Sequence, residues 1–289
     1  MSRRGGIGFR AFRRRLAFGL PTILGLRRRG FFLPYRYADS GPEPGTRPPI
    51  EAVETLFRAA EPAFREHLGR IDGYAAELAA LGDGAPPAPR WRQDWFPRLD
   101  AAAAYAMVRA RAPARIVEIG SGHSTRFMAR AVRDAGLDTE IIAIDPAPRA
   151  ALTGLAVQHW RQNLRQAWKA AIEPCTAGDV LFVDSSHLLM PGTDVDLLLT
   201  EVLPALPAGV LIHFHDIFLP DDYPASWAWR GYNEQLGVAA LLLGGTRYRP
   251  LFASHYVSSR MPAALADTVV ARLPLADGAL ESSLWLEKR

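Results

Sequence analysis

Four stretches of this 289-residue chain end an apolar run on side chains that can move protons or bind ligands. Ile116-Val117-Glu118-Ile119 runs into Gly120-Ser121-Gly122-His123-Ser124-Thr125. Glu140–Ile144 runs into Asp145, and Val180–Val183 into Asp184-Ser185-Ser186-His187. Gly209–Phe214 carries His213 and runs into His215-Asp216. Short apolar runs bounded by turn residues read as buried strands. Ligands in open α/β sheets gather at the C-terminal ends of the strands, so four polar strand ends imply one site.

Each end suits different chemistry. A strand breaking on Gly120 and Gly122 before a helical pattern is a nucleotide-binding shape, because bare backbone and free helix N–H groups can approach a ligand. Asp145 can accept from both hydroxyls of a ribose, or simply start the Asp-Pro turn. Asp184 and Asp216, at adjacent strand ends, can together coordinate a hard cation such as Mg²⁺. His187 is placed to take a hydroxyl proton as general base. His213 and His215 alternate along one strand and share a face, and a core role suits either better than a catalytic one. The turn before the fourth run gives Cys175 a packing or loop role.

The elements between these ends alternate. Helical spacing covers 99–112, 124–135, 160–172, 195–206 and 233–243, and a weaker strand is expected at Leu155–Gln158. Later strands are expected at Arg249–Ala253 and Ser283–Glu287. Strands alternating with helices give a mostly parallel α/β sheet covered on both faces. Upstream, apolar residues from Ile50 to Leu81 recur at helical spacing, as one long helix or two, with Pro62 a candidate point for a bend. Trp91–Pro97 reads either as cover for a site mouth or as packing anchors. The expected division is a basic arm and linker at 1–49, a helical extension or lid at 50–98, and the main domain at 99–289.

Glu118-x-Gly-x-Gly followed by Ser124 and Thr125 lacks the third glycine of a dinucleotide fingerprint. It resembles the first motif of class I S-adenosylmethionine (SAM) methyltransferases. Phe182-Val183-Asp184-Ser185-Ser186-His187, Pro191-Gly192-Thr193-Asp194-Val195 and His213-Phe214-His215-Asp216-Ile217-Phe218-Leu219-Pro220 resemble a bacterial group of these enzymes found with glycosyltransferase and polysaccharide genes. The aromatic Gly30–Ala38 and the C-terminal Ser283–Leu286 resemble that group too, so the likeness covers most of the chain. Asp184-x-x-His187 is similar to an element of metal-dependent macrolide-sugar O-methyltransferases. The resemblance implies a Rossmann-like seven-stranded sheet whose last two strands form a hairpin-like edge. It implies SAM bound by Glu118, Gly120, Ser121, Gly122, Ser124, Thr125 and Asp145. It also implies Mg²⁺ on Asp184 and Asp216, with Asp221 or Asp222 as a further candidate ligand, and His187 as base. Nothing after the second strand marks an adenine site; Gln158 is a guess there. His123 reads as an exposed turn residue.

The implied reaction is O-methylation of a sugar, glycan or small-molecule hydroxyl, with the aromatic stretch Phe218–Gln235 expected to shape the acceptor pocket or a lid. Arg230 suits an acidic substrate or a surface ion pair, and His255 a place at the site's edge or in the packing. Three other readings stay open: a metal-independent methyltransferase using His187 alone, a nicotinamide-dependent oxidoreductase, and a non-catalytic membrane-surface partner of a polysaccharide system.

Charge is unevenly spread. The net charge is +4, yet residues 1–36 hold ten arginines and no acid, leaving 24 basic against 30 acidic residues elsewhere. An acidic body argues against nucleic acid as partner. The arm places Leu16–Leu26 between arginine clusters, too short a run to span a bilayer and without the cleavage site of a secretory signal. It reads as a solvated packing arm or as a peripheral membrane contact through residues 1–30. The single cysteine excludes an internal disulfide and suits the cytoplasm, with the arm's alternative at the inner membrane surface. A homo-oligomer is left open.

Overall fold

The computed structural model describes residues 9–82, 84–148 and 150–289. They fall into two units, one formed by the chain up to Pro48 together with Asp222–Gly231, the other by Pro49–Asp221 and Tyr232–Arg289.

The smaller unit holds α1 (Phe9–Ile23), a 3-10 turn at Ala38–Ser40 and another at Ala225–Arg230. Asp222 organises its irregular part. One carboxylate oxygen meets Arg47 Nη2 at 2.5 Å and the other accepts from Gly45 N at 3.1 Å. Arg230 stacks over Trp227 at 3.9 Å.

The larger unit opens with α2 (Glu51–Asp72) and α3 (Ala75–Ala79), then α4 (Arg98–Arg111), β1 (Arg115–Ile119), α5 (His123–Ala135), β2 (Glu140–Ile144) and β3 (Gln158–Trp160). It continues with α6 (Leu164–Ile172), β4 (Val180–Val183), α7 (Asp194–Leu197), α8 (Leu203–Ala205), β5 (Leu211–Phe214) and α9 (Glu234–Leu243). It closes with β6 (Tyr248–Ala253), α10 (Ser254–Arg260), α11 (Pro262–Ala266) and β7 (Leu284–Lys288). The sheet order is β3-β2-β1-β4-β5-β7-β6, parallel from β3 to β5, with β7 antiparallel to both of its neighbours. This is the expected mostly parallel sheet with a hairpin-like edge. The four residues of β4 and the four of β5 are all buried, as strands covered on both faces must be.

Several local details differ from the sequence reading. β3 lies two to three residues later than expected, because the pairing partners of Ile142, Ala143 and Ile144 are Gln158, His159 and Trp160. An edge strand needs only one apolar face, so its polar residues hid it. The helix expected at 195–206 is interrupted by a π-type turn at Leu198–Val202 between α7 and α8. That wide turn lies where Pro204, lacking an N–H, cannot close a regular ladder. Lys288 Nζ then donates to the last carbonyls of this segment, Leu203 O at 2.7 Å and Pro204 O at 2.9 Å, and to Leu206 O.

The helical stretch after residue 50 belongs to the larger unit rather than forming one of its own. Phe57 and Phe64 of α2 meet Tyr256 edge-on at 5.6 and 5.9 Å, and Phe64 meets Phe252 at 6.0 Å. On α4, Ala101 to Ala104 are fully buried; small side chains let helices approach closely. Trp91 and Phe96 are buried against Phe127, while Trp95 stays exposed. That stretch therefore anchors packing.

Candidate active site

β1, β2, β4 and β5 end level with one another. Gly120 N donates to Ile144 O at 3.0 Å, Asp184 N to Ile119 O at 2.9 Å and His215 N to Val183 O at 2.9 Å. The polar residues following each strand are thereby gathered at one edge of the sheet.

At the β1 end, Gly120 has φ +88°, and a Cβ there would run into the Asp184 carbonyl oxygen. Only glycine lets β1 turn this close to β4. Gly122 differs: a Cβ there would meet nothing within 4 Å. Its backbone borders open space, a cradle without side chains. Asp145, just past the end of β2, accepts from Ser121 Oγ at 2.7 Å and from Ala147 N at 2.8 Å.

Glu118 is fully buried and does not line that space. Its two oxygens accept from Ser124 Oγ and, at 2.5 Å, from Thr125 Oγ1, while Thr125 Oγ1 accepts from Gly122 N at 2.9 Å. Burial pushes the Glu118 carboxyl up to about 8, against the lowering effect of these hydrogen bonds. The three side chains tie the turn to the start of α5. His123 is buried rather than exposed, edge-on to Trp95 at 6.2 Å, and burial lowers its pKa to about 4. Gln158 gives its side-chain amide to Glu140 Oε1 at 2.8 Å, where β2 and β3 begin, at the opposite end of the strands from the cradle.

At the β4 and β5 ends, His187 is the hub. Its Nε2 lies 3.2 Å from Asp184 Oδ1 and 3.4 Å from Asp216 Oδ2, and its Nδ1 lies 2.8 Å from Glu234 Oε2. Glu234, almost fully buried at the start of α9, also accepts from Ser185 Oγ at 3.2 Å. Tyr232 packs its ring 4.6 Å from the imidazole. Burial works against a charged imidazole here. Hydrogen bonds to Asp184 and Glu234, with the charges of Glu234 and Asp216, outweigh it and hold the His187 pKa well above 6.5.

His187 and Asp216 adopt φ +59° and +57°; of the described residues other than glycine, only Ala112 also has positive φ. Side-chain-bearing residues held in this region store strain, and such residues cluster at functional sites.

His215 extends the cluster inward. Its Nδ1 lies 3.4 Å from Asp216 Oδ1, and its Nε2 lies 3.5 Å from Asp100 Oδ2. Burial alone would lower its pKa; Asp216, Asp100 and Asp184 raise it to about 9. Asp100, fully buried on α4, accepts from the backbone of Ser282 and Ser283 at 2.9–3.1 Å. His213 is a core residue, stacked 3.7 Å from Phe182 with Nε2 2.8 Å from Ser283 Oγ.

The expected Mg²⁺ does not fit this arrangement. Among the described residues no group of three or more His, Cys, Asp or Glu side chains is disposed to hold a metal ion. His187 Nε2 occupies the position between Asp184 and Asp216 that a shared cation would need. Asp221 is engaged by Arg260 at 2.6 and 2.9 Å and by His255 at 2.7 Å, and Asp222 by Arg47. Neither is available as a ligand, and His255 is a partner of Asp221. Cys175 is buried and its thiol is pushed up to about 11 by burial, so it packs.

Neither Glu234 nor Asp100 stands out in the sequence. Each is a lone acid in a helix; the available signal for Glu234 was its place in a first helical turn.

Residues 117–217 match the family model described as a methyltransferase domain. The fold is that of a class I methyltransferase. The matched methyltransferase span runs from β1 to just past Asp216, so it contains both the glycine turn and His187. No curated protein matches the chain. Solved structures resemble it at low identity. An SAH-bound methyltransferase from Podospora anserina is 16% identical, with 90% of this chain and 99% of that one covered and a TM-score of 0.41. An O-methyltransferase from Streptomyces achromogenes involved in tomaymycin synthesis, in complex with SAM, is 21% identical over 64% of this chain and 81% of its own, with a TM-score of 0.37. A plantazolicin methyltransferase in complex with a triazolic desmethylPZN analog and SAH is 12% identical over 78% of this chain and 100% of its own, with a TM-score of 0.40.

Proposed function

We propose that this protein is a SAM-dependent O-methyltransferase in which His187, held by Glu234, takes the acceptor's proton without a metal ion. The observation that carries the reading is the Glu234–His187 pair, 2.8 Å apart, at the strand end next to a glycine turn whose open side has no side chain. A carboxylate behind an imidazole fixes its tautomer and stabilises the imidazolium once a proton arrives.

The residues present suit the methyl donor. Gly120 and Gly122 would bring bare backbone to its amino-acid end, and Asp145 would accept from the ribose hydroxyls. Glu118, Ser124 and Thr125 hold that turn in place. When bound, SAM supplies a methyl group already activated on a sulfonium, so the protein contributes alignment and a base. With the donor bound, an acceptor hydroxyl beside His187 would give its proton to Nε2, and the ring would then carry the charge as an imidazolium. Asp184 and Asp216 on either side stabilise that charge. Asp184, whose side chain is 40% exposed, is the carboxylate that can also meet an incoming hydroxyl.

A sugar, glycan or small polar molecule with a free hydroxyl is the acceptor class proposed. The test is SAH release from SAM across a panel of hexoses, oligosaccharides and phenols, with and without EDTA. Turnover that survives EDTA and disappears in His187→Asn is expected. Loss of turnover in EDTA with rescue by Mg²⁺ would overturn the metal-free reading, and a wild-type chain that does not bind SAM would overturn the whole.

A further inference from the structure

Thirteen of the eighteen large apolar side chains exposed among the described residues lie between Phe9 and Tyr37. That concentration is far from the scattered exposure normal for a soluble surface. Within α1, Phe9, Phe12, Leu16, Leu20 and Ile23 are spaced by three or four residues. At about 100° per residue they form one stripe, and all five are exposed. Leu24 and Leu26 prolong it past the helix end, and Phe31-Phe32-Leu33 adds a second apolar run, also exposed.

Arginines flank both runs. Arg13, Arg14 and Arg15 lie within α1, and Arg27, Arg28 and Arg29 follow it, with no acidic residue before Asp39. Among the described residues none of these six is within ion-pair distance of a carboxylate, and Arg13, Arg14, Arg28 and Arg29 lie over aromatic rings, as Arg29 over Phe18 at 5.5 Å and Arg28 over Phe31 at 5.1 Å. Fifteen helical residues reach about 22 Å, short of the roughly 30 Å of a bilayer core. No helix of the described residues is long and apolar enough to cross a membrane.

We propose that residues 9–37 lie on the surface of an anionic phospholipid bilayer, with the stripe of α1 buried at the headgroup boundary and the arginines on lipid phosphates. Both halves of the pattern find a partner there: apolar area enters the acyl boundary and positive charge meets the anionic leaflet. Neither alternative occupant satisfies both. The acidic remainder of a second copy would attract the arginines, but among its described residues the exposed large apolar side chains are Trp95, Trp229, Leu236, Leu243 and Leu275. Nucleic acid would engage the charge and leave the aliphatic stripe without a partner.

The test is co-sedimentation of the full chain with vesicles of phosphatidylglycerol and phosphatidylcholine, against phosphatidylcholine alone. Each arginine near an anionic surface contributes about 1 kcal/mol. Arg13→Glu/Arg14→Glu/Arg15→Glu should therefore weaken binding by about 100-fold or more, and 0.5 M salt should weaken it as well. Phe12→Asp/Leu16→Asp should weaken it at least tenfold at unchanged net arginine content. An unchanged thermal melt of both variants shows that the body still folds. Three results would each overturn the proposal: no preference for anionic vesicles, binding indifferent to Phe12→Asp/Leu16→Asp, or vesicle-independent dimerisation abolished by the same substitutions.

Discussion

The β1 and β4–β5 strand ends are neighbours built on opposite rules. At the β1 turn Glu118, Ser121, Ser124, Thr125 and Asp145 each answer a polar side chain nearby. Glu118 takes Ser124 and Thr125, Ser121 takes Asp145, and the surface left open at Gly122 is backbone. At the β4 and β5 ends, Asp184, Asp216 and Glu234 converge on one imidazole, and two residues hold left-handed backbone to make it so. The first region spends its chemistry on shape, the second keeps charge concentrated. A donor that arrives already activated needs a shaped cradle; an acceptor hydroxyl needs a base.

Substitutions separate the two rules. His187→Asn should have the largest effect, a loss of about 10²–10⁴-fold in methyl transfer. Asparagine tolerates the left-handed backbone there, so SAH affinity by calorimetry should stay within about threefold. An equal loss of SAH affinity would merge the two regions into one. Gly120→Ala should act on the fold. It adds a Cβ against the Asp184 carbonyl at φ +88°, combining left-handed strain with overpacking for about 3 kcal/mol, read as a lowered melting temperature.

Glu234→Gln should lower turnover by about 10–100-fold and change its pH dependence. His187 acts as base only when neutral, so turnover should rise with pH through a midpoint above 6.5. Glu234 is one of the groups raising that pKa, so removing its charge should shift the rise toward lower pH. A rise that stays in place would exclude His187 as the titrating base.

Glu118→Gln should have the smallest effect on turnover and show itself in stability. The Glu118 carboxyl lies at about 8 in the folded chain against an ordinary 4.5. The folded state therefore binds more protons than the unfolded one between those values. The contribution is fully present below pH 4.5 and is lost as pH rises through 8. The variant should remove that part of the slope in denaturant melts across this range.

The division between the two ends was legible in unequal measure. Glycines, strand-end aspartates and Asp184-x-x-His187 are local in sequence, so the donor turn and half of the acceptor cluster could be read directly. Glu234 comes from an element 47 residues beyond His187, and Asp100 from an alanine-rich helix before the first strand. A single acid in a helix reads as surface until the fold buries it. The metal expectation has the same root: two aspartates at neighbouring strand ends suggest a cation, but the ring of His187, itself at positive φ, lies between them. The sheet was legible because β1, β2, β4 and β5 are buried runs of four or five residues, whereas β3, half polar at an edge, was misplaced.

The most direct test of the account is calorimetric titration of SAH into the wild type and Gly122→Val. A Cβ at Gly122 meets nothing within 4 Å, and a thermal melt of the variant checks that the chain still folds. The account predicts that the wild type binds SAH and that Gly122→Val loses at least tenfold in affinity. Equal binding by both would contradict it, because the donor would then lie somewhere other than against the glycine turn.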